Sequence, residues 1–138
     1  MTVFVDTSAW YAAADADDRS HQRAASLLRE FSGDLLTTDH VLVETWYLTR
    51  ARLGASTAER LLAEIRAGIA RIENTELSDL EVAAAIADRF SDQDFSIVDR
   101  TCWSVMLRLG VHEAIAFDRD YSIFRHGPRA DRAFVVHS

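Results

Sequence analysis

The chain reads as an α/β fold, a single-domain parallel β-sheet flanked by helices on both faces. Three observations predict it. Short apolar runs alternate along the chain with longer segments of helical periodicity, an order that requires parallel crossover connections. Five glycines and one proline among 138 residues leave only short loops, and nothing reads as a linker dividing residues 1–138. Apolar residues make up 49% and charged residues 27% of the chain, which excludes a disordered or fibrous class.

Taken in order, Val3-Phe4-Val5 is a short strand ending at Asp6, and Thr7 and Ser8 suit the start of a helix that Ala9–Ala14 continues. Asp15-Ala16-Asp17-Asp18 is a turn. His21–Phe31 is helical, with Ala24, Leu27, Leu28 and Phe31 spaced on one face. Gly33-Asp34 breaks that helix ahead of a buried strand, Leu35-Leu36-Thr37. Thr38 or Asp39 caps a helix through Val41, Val43, Glu44, Tyr47 and Leu48. Ser56 with Glu59 predicts a capping box and a helix through Leu61, Leu62 and Ile65 to Gly68; Ile69–Ile72 carries a weaker strand signal. Ser78 with Glu81 predicts a second box and a helix to about Phe90. After the polar break at Ser91–Asp94, Ser96 caps a helix from Ile97 to Leu109, which Gly110 stops. Glu113–Phe117 is a strand, Asp118–Tyr121 a loop, and Phe134–Val136 the last strand.

The charge balance narrows the function. The net charge is −7, and all 15 basic residues are arginines. With no lysine, Schiff-base chemistry and the P-loop lysine are excluded. An acidic chain does not coat nucleic acid nonspecifically, but a local arginine patch beside a metal site remains compatible with a nucleic-acid substrate. No apolar run approaches the length of a membrane span, and the N-terminus lacks a signal peptide's basic flank and apolar stretch. A lone Cys102 cannot form an internal disulfide, so a cytoplasmic location is expected. Cys102 itself, in a helical stretch, reads as a small core residue. No G-x-S-x-G elbow accompanies Ser8, Asp39 and His40, and no G-x-G suggests a nucleotide cofactor. The five histidines lack metal-ligand spacing and read as surface or capping residues. Trp10, Tyr11, Trp46, Tyr47 and Trp103 suit a core or dimer interface better than a base-stacking platform.

The acids point to a site. In an open parallel sheet, ligands bind beyond the carboxyl ends of the strands. Asp6 and Asp118 each follow a strand and should reach the same rim. Glu44 sits in the apolar stretch Val41–Leu48, where a lone carboxylate is costly to bury. Asp99 lies one turn into the helix after Ser96, near the positive end of its dipole. Each also has a plain structural role: Asp6 as a cap, Asp99 as the partner of Ser96 in a capping box, Asp118 as a turn residue. Four such acids converging on one edge repel one another unless a cation sits among them, and Mg²⁺ or Mn²⁺ prefers such oxygen donors.

Read together, Asp6-Thr7-Ser8, Val41-Leu42-Val43-Glu44, Asp94-Phe95-Ser96-Ile97-Val98-Asp99 and Ala116-Phe117-Asp118-Arg119-Asp120-Tyr121 resemble the PIN domain, and more narrowly the VapC toxins of bacterial toxin–antitoxin pairs. The resemblance spans nearly the whole chain. It implies a Mg²⁺- or Mn²⁺-dependent ribonuclease whose acidic tetrad, Asp6, Glu44, Asp99 and Asp118, holds the metal that activates water. It also implies a homodimer and a small antitoxin partner. One position departs from the pattern: many relatives carry threonine two residues before the fourth acid, where this chain has Ala116. Asp94 and Asp120 are near enough to substitute for Asp118 or to assist it, Ser8 is placed to hydrogen-bond a metal-bound water, and Arg119 is a candidate phosphate contact or an ion-pair partner of Asp118 or Asp120. Arg100, Arg125, Arg129 and Arg132 are candidates for a substrate-facing patch. The apolar faces around Trp46, Tyr47, Leu61, Leu62 and Ile65 are expected to serve a homodimer contact and a groove for an antitoxin helix. The alternative, encouraged by Ala116, is a catalytically silent PIN-like RNA-binding or regulatory module.

Overall fold

The computed structural model describes residues 1–138. The elements run β1 (Val3–Val5), α1 (Thr7–Ala14), α2 (His21–Glu30), β2 (Leu35–Thr38), α3 (Asp39–Leu53), α4 (Ala55–Glu64), β3 (Arg71–Glu73), α5 (Leu77–Arg89), α6 (Ile97–Arg108), β4 (Glu113–Ile115), α7 (Asp120–Ile123) and β5 (Val135–His137). All strand pairs are parallel, in the order β3-β2-β1-β4-β5. The chain lays down β2 and β3 on one side of β1, then crosses to the other side for β4 and β5. Strand order therefore reverses at β1, and the crevice beyond the carboxyl ends of β1 and β4 is where such a sheet binds ligands. In register, Phe4 pairs with both Leu36 and Ala114, and the Asp6 N–H donates to the Ile115 carbonyl at 3.1 Å.

The central strands are buried on both sides: Val3, Phe4 and Val5 are wholly enclosed, and β2 is buried throughout. One core cluster of 25 buried residues surrounds them. In it the Trp103 ring stacks on Phe124 at 4.3 Å between centroids, and Phe95 meets Trp103 edge-on. Trp10 donates its Nε1–H to the Thr37 hydroxyl at 3.3 Å, and that hydroxyl donates to the Val5 carbonyl at 3.0 Å, tying α1 to β1 and β2. Cys102 is fully buried, as a small core residue should be.

Several local expectations shift. Thr38 is the cap of α3, accepting the Val41 N–H at 3.2 Å, while Asp39 instead accepts the Thr75 N–H and hydroxyl at 2.8 and 2.7 Å. The predicted capping box at Ser56 and Glu59 does not form. Gly54, at φ +94°, lets α4 start directly at Ala55, and Glu59 faces α3, accepting the Trp46 indole N–H at 3.0 Å. The second box forms two residues early, between Glu76 and Asp79, because Asp79 is held in place by Ser104 and Arg108 of α6. Ile69 belongs not to a strand but to a π-helical turn, Ile65–Ile69, that Gly68 ends at φ +113°; β3 begins two residues later. Asp120–Ile123 forms the short helix α7 where a loop was expected, while β4 ends at Ile115 and β5 runs one residue further than predicted. No helix is long and apolar enough to cross a membrane.

Candidate active site at the carboxyl ends of the central strands

Asp6 leaves β1 in extended backbone and caps α1, with its side chain turned back toward the helix N-terminus. It is 2% exposed. Its Oδ2 accepts the Ser8 N–H at 3.2 Å and the Ser8 hydroxyl at 2.6 Å; its Oδ1 accepts the Tyr121 hydroxyl at 3.2 Å. Asp99 occupies the first turn of α6, its N–H donated to Ser96 Oγ at 3.1 Å, and its carboxylate is buried. Asp118 follows β4 and accepts the Asp120 N–H at 2.9 Å. Glu44 comes from α3, partly buried.

These four acids meet. Asp6, Glu44, Asp99 and Asp118, together with Asp94, Asp120, Ser8 and Thr7, line one cavity of about 280 Å³. Carboxylate oxygens of Asp99, Asp118 and Asp120 lie within 4.8 Å of one another, so Asp120 belongs to the centre of the cluster and not to its margin. No arginine lines this cavity. The electrostatic consequence is large. Burial, then the neighbouring charges of Asp6, Asp118, Glu44 and Asp120, push Asp99 up to about 9. Burial also raises Asp6 to about 6, against the pull of the Ser8 hydrogen bonds, and raises Asp120, with Asp118 adding to the effect. A cluster of hard oxygen donors that resist ionising side by side suits a divalent Mg²⁺ or Mn²⁺ ion, which would favour their charged forms.

Other expectations are corrected. Ser8 donates its hydroxyl proton to Asp6 and accepts the Phe117 N–H at 2.9 Å; it braces Asp6 against the β4–α7 loop and could meet a metal-bound water only as an acceptor. Arg100 faces away from the site, donating to the carbonyls of Phe95 at 3.1 Å and Ala83 at 2.7 Å. Arg125 is likewise occupied, capping the end of α7 through the Ser122 and Phe124 carbonyls at 2.7 and 3.0 Å. Arg129 and Arg132 line no part of the acidic cavity, so the expected patch does not assemble from these four. Arg119 makes no ion pair with Asp118 or Asp120 and instead lines the cleft next door. Ile65 is enclosed in the core and unavailable to a partner, whereas Tyr47 is 64% exposed beside Trp46. Asp39 and His40 engage Thr75 and Thr101, which disposes of any triad with Ser8.

Sequence reasoning missed Tyr121 and Thr7. Tyr121 is fully buried and reaches Asp6 across 115 residues of sequence, a contact no local pattern announces. Thr7 lines the cavity with a buried hydroxyl that has no protein partner; its place beside Asp6 was a usable signal.

Comparison with known proteins agrees with this geometry. Residues 3–127 match the PIN domain family. The chain is 35% identical over 120 residues to the 23S rRNA-specific endonuclease VapC20 of Mycobacterium tuberculosis, covering 87% of this chain and 92% of that protein. The crystal structure of M. tuberculosis VapC20, described as a sarcin–ricin loop cleaving toxin, superposes with a TM-score of 0.84 at 34% identity, over 88% of this chain and 94% of that one. VapBC2 from Rickettsia felis, bound to a promoter DNA fragment, shares the fold at a TM-score of 0.71 with 10% identity, over 99% and 97% of the two chains. The chain belongs to the PIN-domain family, and within it to the VapC-type ribonuclease toxins.

Proposed function

We propose that the acidic cavity hydrolyses RNA phosphodiesters with Mg²⁺ or Mn²⁺, and that this is the toxic activity of one half of a toxin–antitoxin pair acting in the cytoplasm. The observation that carries the proposal is the convergence of Asp6, Glu44, Asp99, Asp118 and Asp120 on one cavity without a single cationic side chain. Asp6, Asp99 and Asp118 would hold the cation, with Glu44 and Asp120 as further oxygen donors. When bound, the cation supplies Lewis acidity toward the phosphodiester and toward water. Ser8 and Tyr121 hold the two oxygens of Asp6, so that carboxylate is aimed before substrate arrives. Asp120 and Glu44, whichever is not bound directly, are placed to accept a proton from an attacking water.

Ribosomal RNA is the proposed substrate, on the strength of the identity to the 23S rRNA-specific VapC20. A small antitoxin is the proposed partner and a homodimer the proposed assembly. Exposed Tyr47 and Val43, with half-buried Trp46, offer an apolar face for one of these. The silent-module alternative gains nothing from Ala116, which is buried and lines the adjoining cleft, not the acidic cavity.

The test is Mn²⁺ titration by calorimetry together with cleavage of ribosomal RNA, for wild type and Asp6→Asn. Binding and cleavage that both disappear in the variant support the assignment; a variant that behaves as wild type overturns it. Growth arrest on expression, relieved by the product of the neighbouring upstream reading frame, tests the toxin role separately.

A further inference from the structure

A second cavity, of about 480 Å³, opens beside the acidic one and shares Ser8, Leu48 and Asp118 with it. Its character is opposite. Arg19 from the α1–α2 loop, Arg52 near the end of α3 and Arg119 from the β4–α7 loop all line it. All three are exposed, and none makes an ion pair with a carboxylate. Most arginines of this chain are likewise free of carboxylates, Arg108 alone being ion-paired, so what distinguishes these three is that they line one cleft beside the acidic cavity. The other carboxylate lining the cleft, Asp18, accepts the Ser20 N–H at 2.8 Å within its own turn. Arg52 is held in place by stacking over the Tyr11 ring, 5.1 Å from its centroid, and Tyr11 is fixed in turn by its hydroxyl hydrogen bond to Asp15. The three guanidiniums reach the cleft from separate elements, and Asp118 forms the boundary between it and the acidic cavity.

We propose that this cleft binds the phosphates of the RNA strand flanking the scissile bond, with Arg19, Arg52 and Arg119 as the contacts that set substrate affinity. The inference rests on the nuclease reading and deepens it. An acidic cavity by itself repels a polyanion; three unpaired guanidiniums at its edge supply the attraction that brings the neighbouring phosphates into place.

The test uses the whole protein and a fluorescein-labelled ribosomal RNA stem–loop. Binding is read by anisotropy in Ca²⁺, and cleavage is read in Mn²⁺. The triple variant Arg19→Ala/Arg52→Ala/Arg119→Ala should weaken binding by about tenfold or more, and the slope of log K against log salt should fall by about 2, near 0.7 per lost contact. In cleavage, KM should rise in step while kcat stays within about threefold, since these residues act on binding and not on the reacting atoms. Replacing all three with lysine should recover most of the affinity, because a phosphate accepts a point charge. Arg71→Ala, on the edge strand β3, is the control and should change neither. An alanine triple variant that binds RNA with wild-type affinity and salt slope overturns the cleft assignment and leaves the nuclease reading standing. RNA binding that depends on the three arginines in a protein that never cleaves supports the cleft and overturns the nuclease reading. Absence of both binding and cleavage in the wild type overturns both.

Discussion

Replacing Asp99 with asparagine should make the metal-free protein more stable while abolishing its chemistry. In the folded chain Asp99 holds its proton up to about pH 9, against 3.8 for an unperturbed carboxyl. The folded state therefore binds more protons than the unfolded state between those values. The stability associated with Asp99 is fully present below about pH 3.8 and is lost as pH rises toward 9. At pH 7 the cost is about 1.4 kcal/mol for each of roughly three pH units, or ~4 kcal/mol; proton sharing with Asp6 and Asp118 reduces it toward ~2 kcal/mol. Asparagine keeps the shape and has no charge to suppress. With an unfolding entropy near 2.1 cal/mol/K per residue, the variant should melt about 7 to 14 °C above wild type at pH 7 in EDTA. The gap should close near pH 4, where both side chains are neutral. Adding Mn²⁺ should reverse the order, raising the wild-type melting temperature and leaving the variant unmoved, and RNA cleavage should fall by more than about 100-fold. Calorimetric melting across pH 4–8, with and without Mn²⁺, is the assay. A variant that melts at or below wild type at pH 7 in EDTA refutes the argument, since Asp99 would then not be under electrostatic stress.

Three further outcomes are expected. Ser8→Ala removes the hydroxyl that joins Asp6 to the Phe117 backbone, so Mn²⁺ affinity should weaken by about 10- to 100-fold in calorimetry, and Asp6 should titrate higher by carboxyl NMR because its Ser8 hydrogen bonds hold it down. Arg108→Ala strands the buried Asp79 carboxylate without the guanidinium 3.1 Å away and should cost about 3 kcal/mol at pH 7 by urea denaturation. Burial works to raise Asp79, but Arg108, the Glu76 backbone N–H and the Ser104 hydroxyl together hold it below the usual range; its contribution is thus present above that range, and the penalty should shrink as pH falls through it. Thr38→Ala removes the α3 cap and should cost about 1 kcal/mol in the same assay, with cleavage retained.

Much of this protein is written in short-range pattern. Alternation of short apolar runs with amphipathic segments is enough to demand a parallel sheet, and the topology then places whatever follows β1 and β4 on the same rim. Asp6 and Asp118 were legible for that reason. Glu44 stood out because a carboxylate in an apolar helix face requires a partner, and Asp99 because it sits one turn after a capping serine. What the linear order could not convey depends on the direction in which a side chain leaves its element and on what arrives from far along the chain. Asp120 enters the cluster because Asp118–Ile123 folds into a turn and a helical turn instead of an open loop. Tyr121 meets Asp6, and the Phe117 N–H meets Ser8, through contacts that exist only once β1 and β4 are paired. The arginines show the same division most plainly. All 15 look alike in sequence, yet packing commits Arg100 and Arg125 to backbone carbonyls and leaves Arg19, Arg52 and Arg119 unpaired around one cleft. Local periodicity and capping act over a few residues and are carried by the sequence itself; which charges remain free for a substrate is decided by long-range packing, because only the assembled structure determines which acceptors lie within reach.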